Sequence, residues 1–244
     1  MSQALAGRRI VVSAGPTYED IDPVRFIGNR SSGKMGFALA EAAAARGAEV
    51  LLVAGPVHLA TPAGVERVDV RSAAQMHDAV LAALPADIYV GTAAVADFTP
   101  KTVAGSKIKK QVDGPQGDVR TGAADAHALT EDGLVLQLVR TRDILADVAA
   151  HALRPSLVVG FAAETDEVEA YARGKLERKR IDMIAANRVG VAGSGFESDD
   201  NALQVFWRDA DGAVDSRALG PADKRVLACA LLELVAERLP AAAR

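Results

Sequence analysis

The chain has 244 residues, half of them apolar, which is enough for a buried core in one large α/β domain or two small ones. Its formal net charge of −4 argues against nucleic acid as a partner, because duplex-binding proteins usually carry a basic excess. No apolar run is long enough to cross a bilayer, Met1–Arg9 has no apolar signal segment, and the single cysteine, Cys229, excludes an intrachain disulfide, so we expect a cytoplasmic protein without a membrane partner.

The first part of the chain alternates short apolar runs with amphipathic segments. Four runs are predicted strands: Arg9–Ser13, Glu49–Val53, Val65–Val70 and Asp87–Thr92. Two segments are predicted helices: Lys34–Arg46, which stops at Gly47, and Ala73–Leu84, which follows Ser72 as its N-cap. Strands that alternate with helices predict an α/β fold with a doubly wound, mainly parallel sheet and ligands at the carboxyl ends of its strands.

The middle of the chain has a different composition. Phe98–Gly133 is rich in Gly, Ala, Asp, Lys and Thr, and Gln111–Gly133 in particular predicts an exposed, mobile loop. Regular elements resume after it. Strands are predicted at Leu134–Val139, Leu157–Phe161 and Asp182–Ala186, helices at Arg142–His151, Asp166–Arg180 and Pro221–Leu239, and a hairpin at Ala202–Trp207 and Ala213–Arg217.

A glycine-containing segment precedes the first predicted helix. Gly28-Asn-Arg-Ser-Ser-Gly-Lys-Met35 nearly matches a P-loop, but Met35 stands where that motif needs Ser or Thr for magnesium. An ordinary P-loop NTPase is therefore disfavoured. Ser31, Ser32 and Gly33 still lie at a helix start, where free backbone N–H groups suit an anion. A plain serine N-cap with a flexible glycine is the alternative.

Two further segments follow predicted strands. In Ser13-Ala-Gly-Pro-Thr17, Gly15 would let backbone approach a phosphate and Thr17 would add a hydroxyl, although a tight turn explains both. The segment lacks the Gly-x-Gly-x-x-Gly fingerprint, which disfavours a dinucleotide oxidoreductase. The small residues of Gly91–Asp97 would open space at the sheet edge, and Asp97 could bind a ribose hydroxyl or a metal, or cap a turn.

Lysines form two candidate phosphate-binding groups. Lys107-Ile-Lys-Lys110 suits a triphosphate, and a solvated basic loop is the alternative. Lys175 and Lys179 are four residues apart and share one helix face, where ion pairs with neighbouring glutamates would equally explain them. The scattered histidines do not predict a zinc site.

Taken in order along the chain, these segments resemble the phosphopantothenoylcysteine synthetase family, in its bacterial, CTP-using form. The matching pieces are Ser13–Thr17, Asp22–Arg25, Asn29–Gly36, Ala93–Asp97, Lys107–Lys110, Gly160–Thr165 and Ser198–Asn201. The resemblance implies a Rossmann-like sheet with a protruding dimerisation flap and a homodimer. It also implies a ligase of coenzyme A biosynthesis that joins 4′-phosphopantothenate to L-cysteine with CTP and Mg²⁺, through an acyl-cytidylate, releasing pyrophosphate and then CMP.

The resemblance also implies residue roles. Asn29 and Lys107 would be catalytic, and Asn29 and Ala94 would bind the pantothenoyl substrate. The nucleotide would be bound by these residues: Gly15, Thr17, Ser31, Ser32, Gly33, Gly91, Thr92, Ala93, Asp97, Lys107, Arg142, Asp143, Ile144, Leu145, Phe161, Lys175 and Lys179. Within this set, 142–145 would line the cytosine pocket and Lys107 would reach the triphosphate of the partner subunit. The pattern gives no metal ligands.

This sequence departs from the family pattern at several points. Arg142 stands where the family usually has proline, and Gln111–Gly133 is longer than the bacterial pattern. The family's domain is commonly fused to, or associated with, an FMN-dependent decarboxylase; we expect no FMN in this chain. We predict a linker or tail at 1–7, one ligase domain at 8–240 and a flap at 98–133. A non-catalytic nucleotide-binding or regulatory module is the alternative function.

Overall fold

The structure, a computed structural model, describes residues 5–109, 127–130, 133–164, 168–188, 200–209 and 211–239. The helices are α1 (Lys34–Ala44), α2 (Ala73–Ala82), α3 (Ile144–Ala150), α4 (Val168–Lys179) and α5 (Lys224–Ala236). The strands are β1 (Arg9–Ala14), β2 (Tyr18–Asp20), β3 (Phe26–Gly28), β4 (Glu49–Ala54), β5 (Val65–Asp69), β6 (Ile88–Gly91), β7 (Phe98–Pro100), β8 (His127–Thr130), β9 (Gly133–Leu136), β10 (Leu138–Arg140), β11 (Leu157–Glu164), β12 (Met183–Arg188), β13 (Asp200–Arg208) and β14 (Val214–Asp223).

Eight strands form the central sheet in the order β14-β13-β12-β11-β6-β1-β4-β5. The six strands from β12 to β5 pair in parallel, and the β13–β14 hairpin continues the sheet antiparallel. After β1 the chain adds β4 and then β5 beside one edge of β1. It then crosses back, so that β6 pairs with the opposite edge of β1. The strand order therefore reverses between β1 and β6, and this is the point where open α/β sheets bind ligands.

Helices cover both faces of the sheet, as the alternating pattern predicts. Ile10 and Val12 of β1 point into a core shared with α1 and α5. Val11 points to the opposite face, into a core shared with α2, α3 and α4. Side chains of successive strand residues point to opposite faces, so one short strand supplies both cores. The predicted α/β class and mainly parallel sheet are confirmed.

Some element boundaries differ from those predicted from the sequence. The predicted strand Leu134–Val139 is divided between β9 and β10, and the predicted helix start at Pro221 lies inside β14. Helix α5 begins three residues later because Asp223 caps it, accepting a hydrogen bond from the backbone N–H of Arg225 at 2.7 Å. Leu5 is fully buried in the core, so the chain packs against the domain within the predicted 1–7 tail.

Three two-stranded sheets, β2–β3, β7–β10 and β8–β9, lie outside the central sheet. The sequence pattern did not predict β2, β3 or β7, each only three residues long. It was also wrong for β8, which lies within the segment Gln111–Gly133 that it predicted to be a mobile loop. Much of the predicted flap at 98–133 lies outside the described residues. Among the helices that the structure describes, none is long and apolar enough to cross a membrane.

Candidate functional site

An open cavity of about 780 Å³ lies at the carboxyl ends of β1, β6 and β11. Ser13 and Gly91, which pair in register at the ends of β1 and β6, both line it. The cavity is therefore at the point where the strand order reverses. It extends across the sheet edge from the start of α1 on one face to α3 and α4 on the other.

Most of the predicted site residues meet in the wall of this cavity. Those that line it are Asn29, Ser31, Ser32, Gly33, Gly91, Thr92, Ala93, Ala94, Asp97, Arg142, Asp143, Ile144, Leu145, Phe161, Lys175 and Lys179. Gly15, Thr17 and Lys107 are not part of the wall. The structure thus brings together residues that are as far apart in sequence as Asn29 and Lys179.

Gly15 and Thr17 do not line the cavity but adjoin its wall, and their role in nucleotide binding stays a prediction. The Thr17 side chain is fully buried, and its hydroxyl accepts a hydrogen bond from the backbone N–H of Ala96 at 2.9 Å. Gly15 adopts φ +80°, and a side chain there would press against Gly55 and Val57. Backbone hydrogen bonds from Ala94 to Gly15 (2.9 Å) and from Thr17 to Ala94 (3.3 Å) continue the β1–β6 pairing. These residues therefore fix the backbone conformation of the 92–97 loop.

Asn29 contacts the same loop from the cavity side. Its Nδ2 donates to the carbonyl oxygens of Ala94 at 3.2 Å and of Val95 at 3.0 Å. The side chain is exposed, so a ligand can reach it. Because its amide already donates to two carbonyls, a substrate carbonyl would have to share or replace one of these bonds.

The opposite end of the cavity carries an ion pair. Asp143 is the N-cap of α3 and accepts a hydrogen bond from the backbone N–H of Ala146 at 3.1 Å. Lys179 Nζ lies 3.0 Å from the same carboxylate, and Lys175 lines the cavity one turn earlier on α4. Lys179 is therefore both a partner of Asp143 and a cation at the wall.

The cavity floor contains a polar pair that the sequence analysis missed. The Tyr89 hydroxyl and Ser13 Oγ are 2.9 Å apart, and both residues line the cavity although they are almost completely buried. Burial raises the pKa of the Tyr89 phenol to about 12, despite the opposing hydrogen bond from Ser13. Tyr89 is therefore neutral at physiological pH, and its hydroxyl can donate or accept a hydrogen bond. Ser13 begins the Ser13–Thr17 segment but was given no role there, and no motif marked Tyr89, which lies within a predicted strand.

Lys107 lies on a segment that does not line the cavity. The backbone N–H of Ile108 donates to Asp22 Oδ2 at 3.1 Å, and the Arg25 guanidinium donates to the Ile108 carbonyl at 2.9 Å. The Arg25 guanidinium also bonds to Asp22 and, with three backbone N–H donors, holds the pKa of that buried carboxyl well below its usual range. The Asp22–Arg25 motif therefore anchors 107–109, and Lys107 itself is exposed. Lys110 lies outside the described residues.

Two carboxylates, those of Asp97 and Asp143, line the cavity. Within the described ranges no group of three or more His, Cys, Asp or Glu residues could form a metal cage. This arrangement fits Mg²⁺ that arrives with a nucleotide, because such ions are held mostly by phosphate and water with one or two carboxylates. Asp97 is the more available of the two, since Asp143 is paired with Lys179.

The sequence matches a known family over almost its full length. Residues 5–239 match the DNA/pantothenate metabolism flavoprotein C-terminal domain. The Coenzyme A biosynthesis bifunctional protein CoaBC of Vibrio cholerae is 48% identical over 236 residues, which are 96% of this chain and 54% of that protein. The protein of the same name from Escherichia coli K12 is 51% identical over 203 residues, 83% of this chain and 46% of that protein. The chain thus spans about half the length of these relatives.

Solved structures give the same result. A crystal structure of the C-terminal domain of CoaBC is similar with a TM-score of 0.74 and 38% identity, and the match covers 98% of both chains. A Cab2 mutant in complex with phosphopantothenate-cysteine has a TM-score of 0.70, with 95% of this chain and 87% of that chain covered. At 16% identity, the second likeness concerns the fold alone. The chain therefore belongs to the family of DNA/pantothenate metabolism flavoprotein C-terminal domains.

Proposed function

We propose that this chain is a phosphopantothenate–cysteine ligase that uses CTP. The observation that carries the proposal is the cavity at the strand-order reversal, whose wall gathers Asn29, the 91–97 loop, the start of α3 and two lysines of α4. Relatives that are 48% and 51% identical in sequence carry the name Coenzyme A biosynthesis bifunctional protein, which supports the assignment. The proposed substrates are CTP, 4′-phosphopantothenate and L-cysteine.

In the first proposed step, a carboxylate oxygen of 4′-phosphopantothenate attacks the α-phosphorus of CTP. The bond from that phosphorus to the bridging oxygen breaks, and pyrophosphate leaves with the electron pair. Lys175 and Lys179 would neutralise the phosphate oxygens, and Phe161 with 142–145 would hold the base. Mg²⁺ bound with the nucleotide would supply further charge neutralisation.

In the second proposed step, the cysteine amine attacks the acyl carbon of the acyl-cytidylate. The bond between that carbon and the phosphate oxygen then breaks, CMP leaves, and the amine loses a proton. Asn29 and Ala94 would hold the pantothenoyl part beside the 94–97 loop. An amide suits this position because it can bind a developing oxyanion without carrying a charge.

We also propose that the protein works as a homodimer whose interface is the region of the small sheets. Seven large apolar side chains are exposed there, on β2–β3, β7–β10, β9 and the adjoining 101–109 segment: Val24, Phe26, Phe98, Val103, Val135, Leu138 and Val139. We propose that these side chains form one contiguous apolar patch, which would mark an interaction surface. A second copy would cover them and bring its Lys107 to the triphosphate.

The relatives' name includes the word bifunctional, and this chain spans about half of their length. We therefore propose that the ligase is fused to, or acts with, an FMN-dependent decarboxylase.

The decisive experiment combines the protein with Mg²⁺, CTP, 4′-phosphopantothenate and cysteine. Pyrophosphate, CMP and a new amide product, identified by mass spectrometry, should form in equal amounts. Omitting cysteine should stop CMP release while one equivalent of pyrophosphate per site still appears. A non-catalytic nucleotide-binding module would release no pyrophosphate in either reaction, and that result would refute the ligase.

A further inference from the structure

His77 of α2 is a buried histidine that the proposed reaction does not use. Its side chain is only 4% exposed, and both of its ring nitrogens have polar neighbours. Nε2 lies 3.0 Å from Asp147 Oδ2 in the first turn of α3, and Nδ1 lies 3.2 Å from Asp78 Oδ1 on α2. Because a carboxylate only accepts hydrogen bonds, Nε2 carries a proton and donates a hydrogen bond to Asp147. The imidazole therefore ties α2 to α3.

The second ring nitrogen also faces Arg142, which lines the cavity just before α3. Arg142 Nη1 lies 3.4 Å from His77 Nδ1 and 3.9 Å from Asp78 Oδ1. A neutral ring with its proton on Nε2 keeps a lone pair on Nδ1, which accepts from the guanidinium, and the Asp78 carboxylate attracts the same group. The Arg142 side chain is 69% exposed, and a long exposed side chain samples many rotamers unless such contacts restrict it.

The backbone on both sides of Arg142 is held by other parts of the fold. The backbone N–H of Thr141 donates to the Asp97 carbonyl at 3.0 Å, and Asp143 pairs with Lys179 of α4 at 3.0 Å. The 92–97 loop and α4 therefore fix the chain on either side of Arg142, while α2 contacts its side chain. Loss of the α2 contacts would free this side chain and leave the backbone of the wall in place.

We propose that His77 and Asp78 are positioning residues that hold the Arg142 guanidinium beside the nucleotide. This inference rests on the proposed function, which assigns 142–145 to the base of CTP. Neither His77 nor Asp78 lines the cavity, so both act through Arg142 and not on the substrate. Contacts to the base are the same before and during the attack on the α-phosphorus. Their loss should therefore raise KM for CTP and leave kcat nearly unchanged.

The test uses His77→Gln, because glutamine can still donate to Asp147 but places no acceptor at the Nδ1 position beside Arg142. Calorimetry on the folded 244-residue chain with Mg²⁺ and CTP should show affinity about tenfold weaker, as expected for the loss of a charged hydrogen bond. Initial rates should show KM for CTP raised by a similar factor, with kcat and KM for 4′-phosphopantothenate nearly unchanged.

Val80→Ala is the matched control for a general loosening of α2. Val80 is fully buried on α2 and does not line the cavity, so its truncation should destabilise the fold without releasing Arg142. Its KM for CTP should stay that of the unaltered chain.

A double variant shows whether the effect passes through Arg142. Arg142→Gln should itself weaken CTP, and adding His77→Gln to it should weaken CTP no further, because coupled residues are not additive. Asp78→Ala repeats the test at a side chain that is 75% exposed, where folding is not at risk. It should weaken CTP about threefold, as expected for an accessible ion pair.

The proposal is overturned if His77→Gln binds CTP like the unaltered chain, or if its loss and that of Arg142→Gln multiply in the double variant. An equal rise of KM in Val80→Ala would also overturn it. Should His77→Gln fail to fold, Asp78→Ala decides by the same criteria.

Failure of this inference and failure of the ligase give different results. CTP binding that depends on His77, without pyrophosphate release, would refute the ligase and leave the positioning role standing. Normal CTP binding and pyrophosphate kinetics in both variants of the α2 pair would refute the positioning role alone. If the unaltered chain does not bind CTP, both proposals fail.

Discussion

Replacing Lys179 by glutamine separates a phosphate-binding lysine from one that only neutralises Asp143. Lys179 Nζ lies 3.0 Å from the Asp143 carboxylate, with the two side chains 28% and 47% exposed. An ion pair this accessible contributes about 0–1 kcal/mol to the free energy of unfolding. For a domain of this size, that corresponds to a fall in Tm of roughly 2–4 °C at most. We therefore expect Lys179→Gln to fold almost normally.

Catalysis should respond far more strongly than stability. If Lys179 stabilises charge on the departing pyrophosphate, its loss should slow pyrophosphate release about tenfold or more, since 1.36 kcal/mol of barrier is one decade. The assay is the rate of pyrophosphate release with cysteine omitted, which isolates the first step. Arg178→Gln is the matched control, because Arg178 is the preceding residue of α4 and does not line the cavity.

The double variant Lys179→Gln with Asp143→Asn makes the test sharper. Asparagine is a good N-cap, so α3 should keep its hydrogen bond to Ala146. The double variant no longer has the Asp143 carboxylate that loses its partner in Lys179→Gln, but it still lacks the ammonium group. We expect stability to return while pyrophosphate release stays slow. Recovery of the rate in the double variant would show that Lys179 acts only by neutralising Asp143, and would refute our assignment.

Four further predictions use the same assays. Asn29→Asp should lower amide formation about 10²–10³-fold, because a carboxylate would face the Ala94 and Val95 carbonyls and repel the intermediate. Near-normal product formation would show that Asn29 only holds the loop through these two carbonyls. Mixing Lys107→Gln with Asn29→Asp chains should partly restore activity through heterodimers with one intact site, and no recovery after verified subunit exchange would place Lys107 in its own subunit. CTP should give a much higher kcat/KM than ATP, and equal values would contradict the proposed base pocket. Asp22→Asn should destabilise the protein at pH 7 and, by loosening the Ile108 contact, slow turnover. Because folding lowers the Asp22 pKa, the Asp22 carboxylate stabilises the fold fully above about pH 4 and less as the pH falls below that. The difference in unfolding free energy between the variant and the unaltered chain should therefore narrow only in that acidic range.

Long periodic patterns predicted the parts of the fold that depend on many residues. The alternation of apolar runs with helical segments predicted the parallel sheet and both helical layers, because each element needs several matched positions to bury one face. Three-residue strands such as β2, β3 and β7 are too short for any periodicity to be distinguished from turns. Their pairing depends on contacts that form only in the folded chain. One of these is the stacking of Tyr18 on Phe26, whose ring centroids are 4.0 Å apart.

Some site residues could be predicted from their position next to a predicted element, and others could not. Gly91–Asp97 and Ser31–Gly33 could be placed at the cavity because they follow a predicted strand or precede a predicted helix, and topology brings those ends to one edge. Thr17 satisfies the same rule but does not line the cavity, because its side chain is fully buried beside the loop, where its hydroxyl accepts a hydrogen bond from the Ala96 N–H. Position along the chain predicts which edge a residue reaches. It does not predict whether the side chain points outward to a ligand or inward to the loop beside it.

Lys224 shows why the remaining residues escaped prediction. In the sequence it is one charge at the start of an amphipathic helix, where a solvated side chain is the ordinary expectation. Lys224, which lines the cavity, is buried because α5 packs beside α1 after the antiparallel hairpin β13–β14 has extended the sheet. The starts of these two helices are about 190 positions apart in the sequence. Two helices that arrive from opposite ends of the chain thereby point their positive ends at one wall. No single segment of the sequence carries a sign of this arrangement, because it exists only once the sheet has formed.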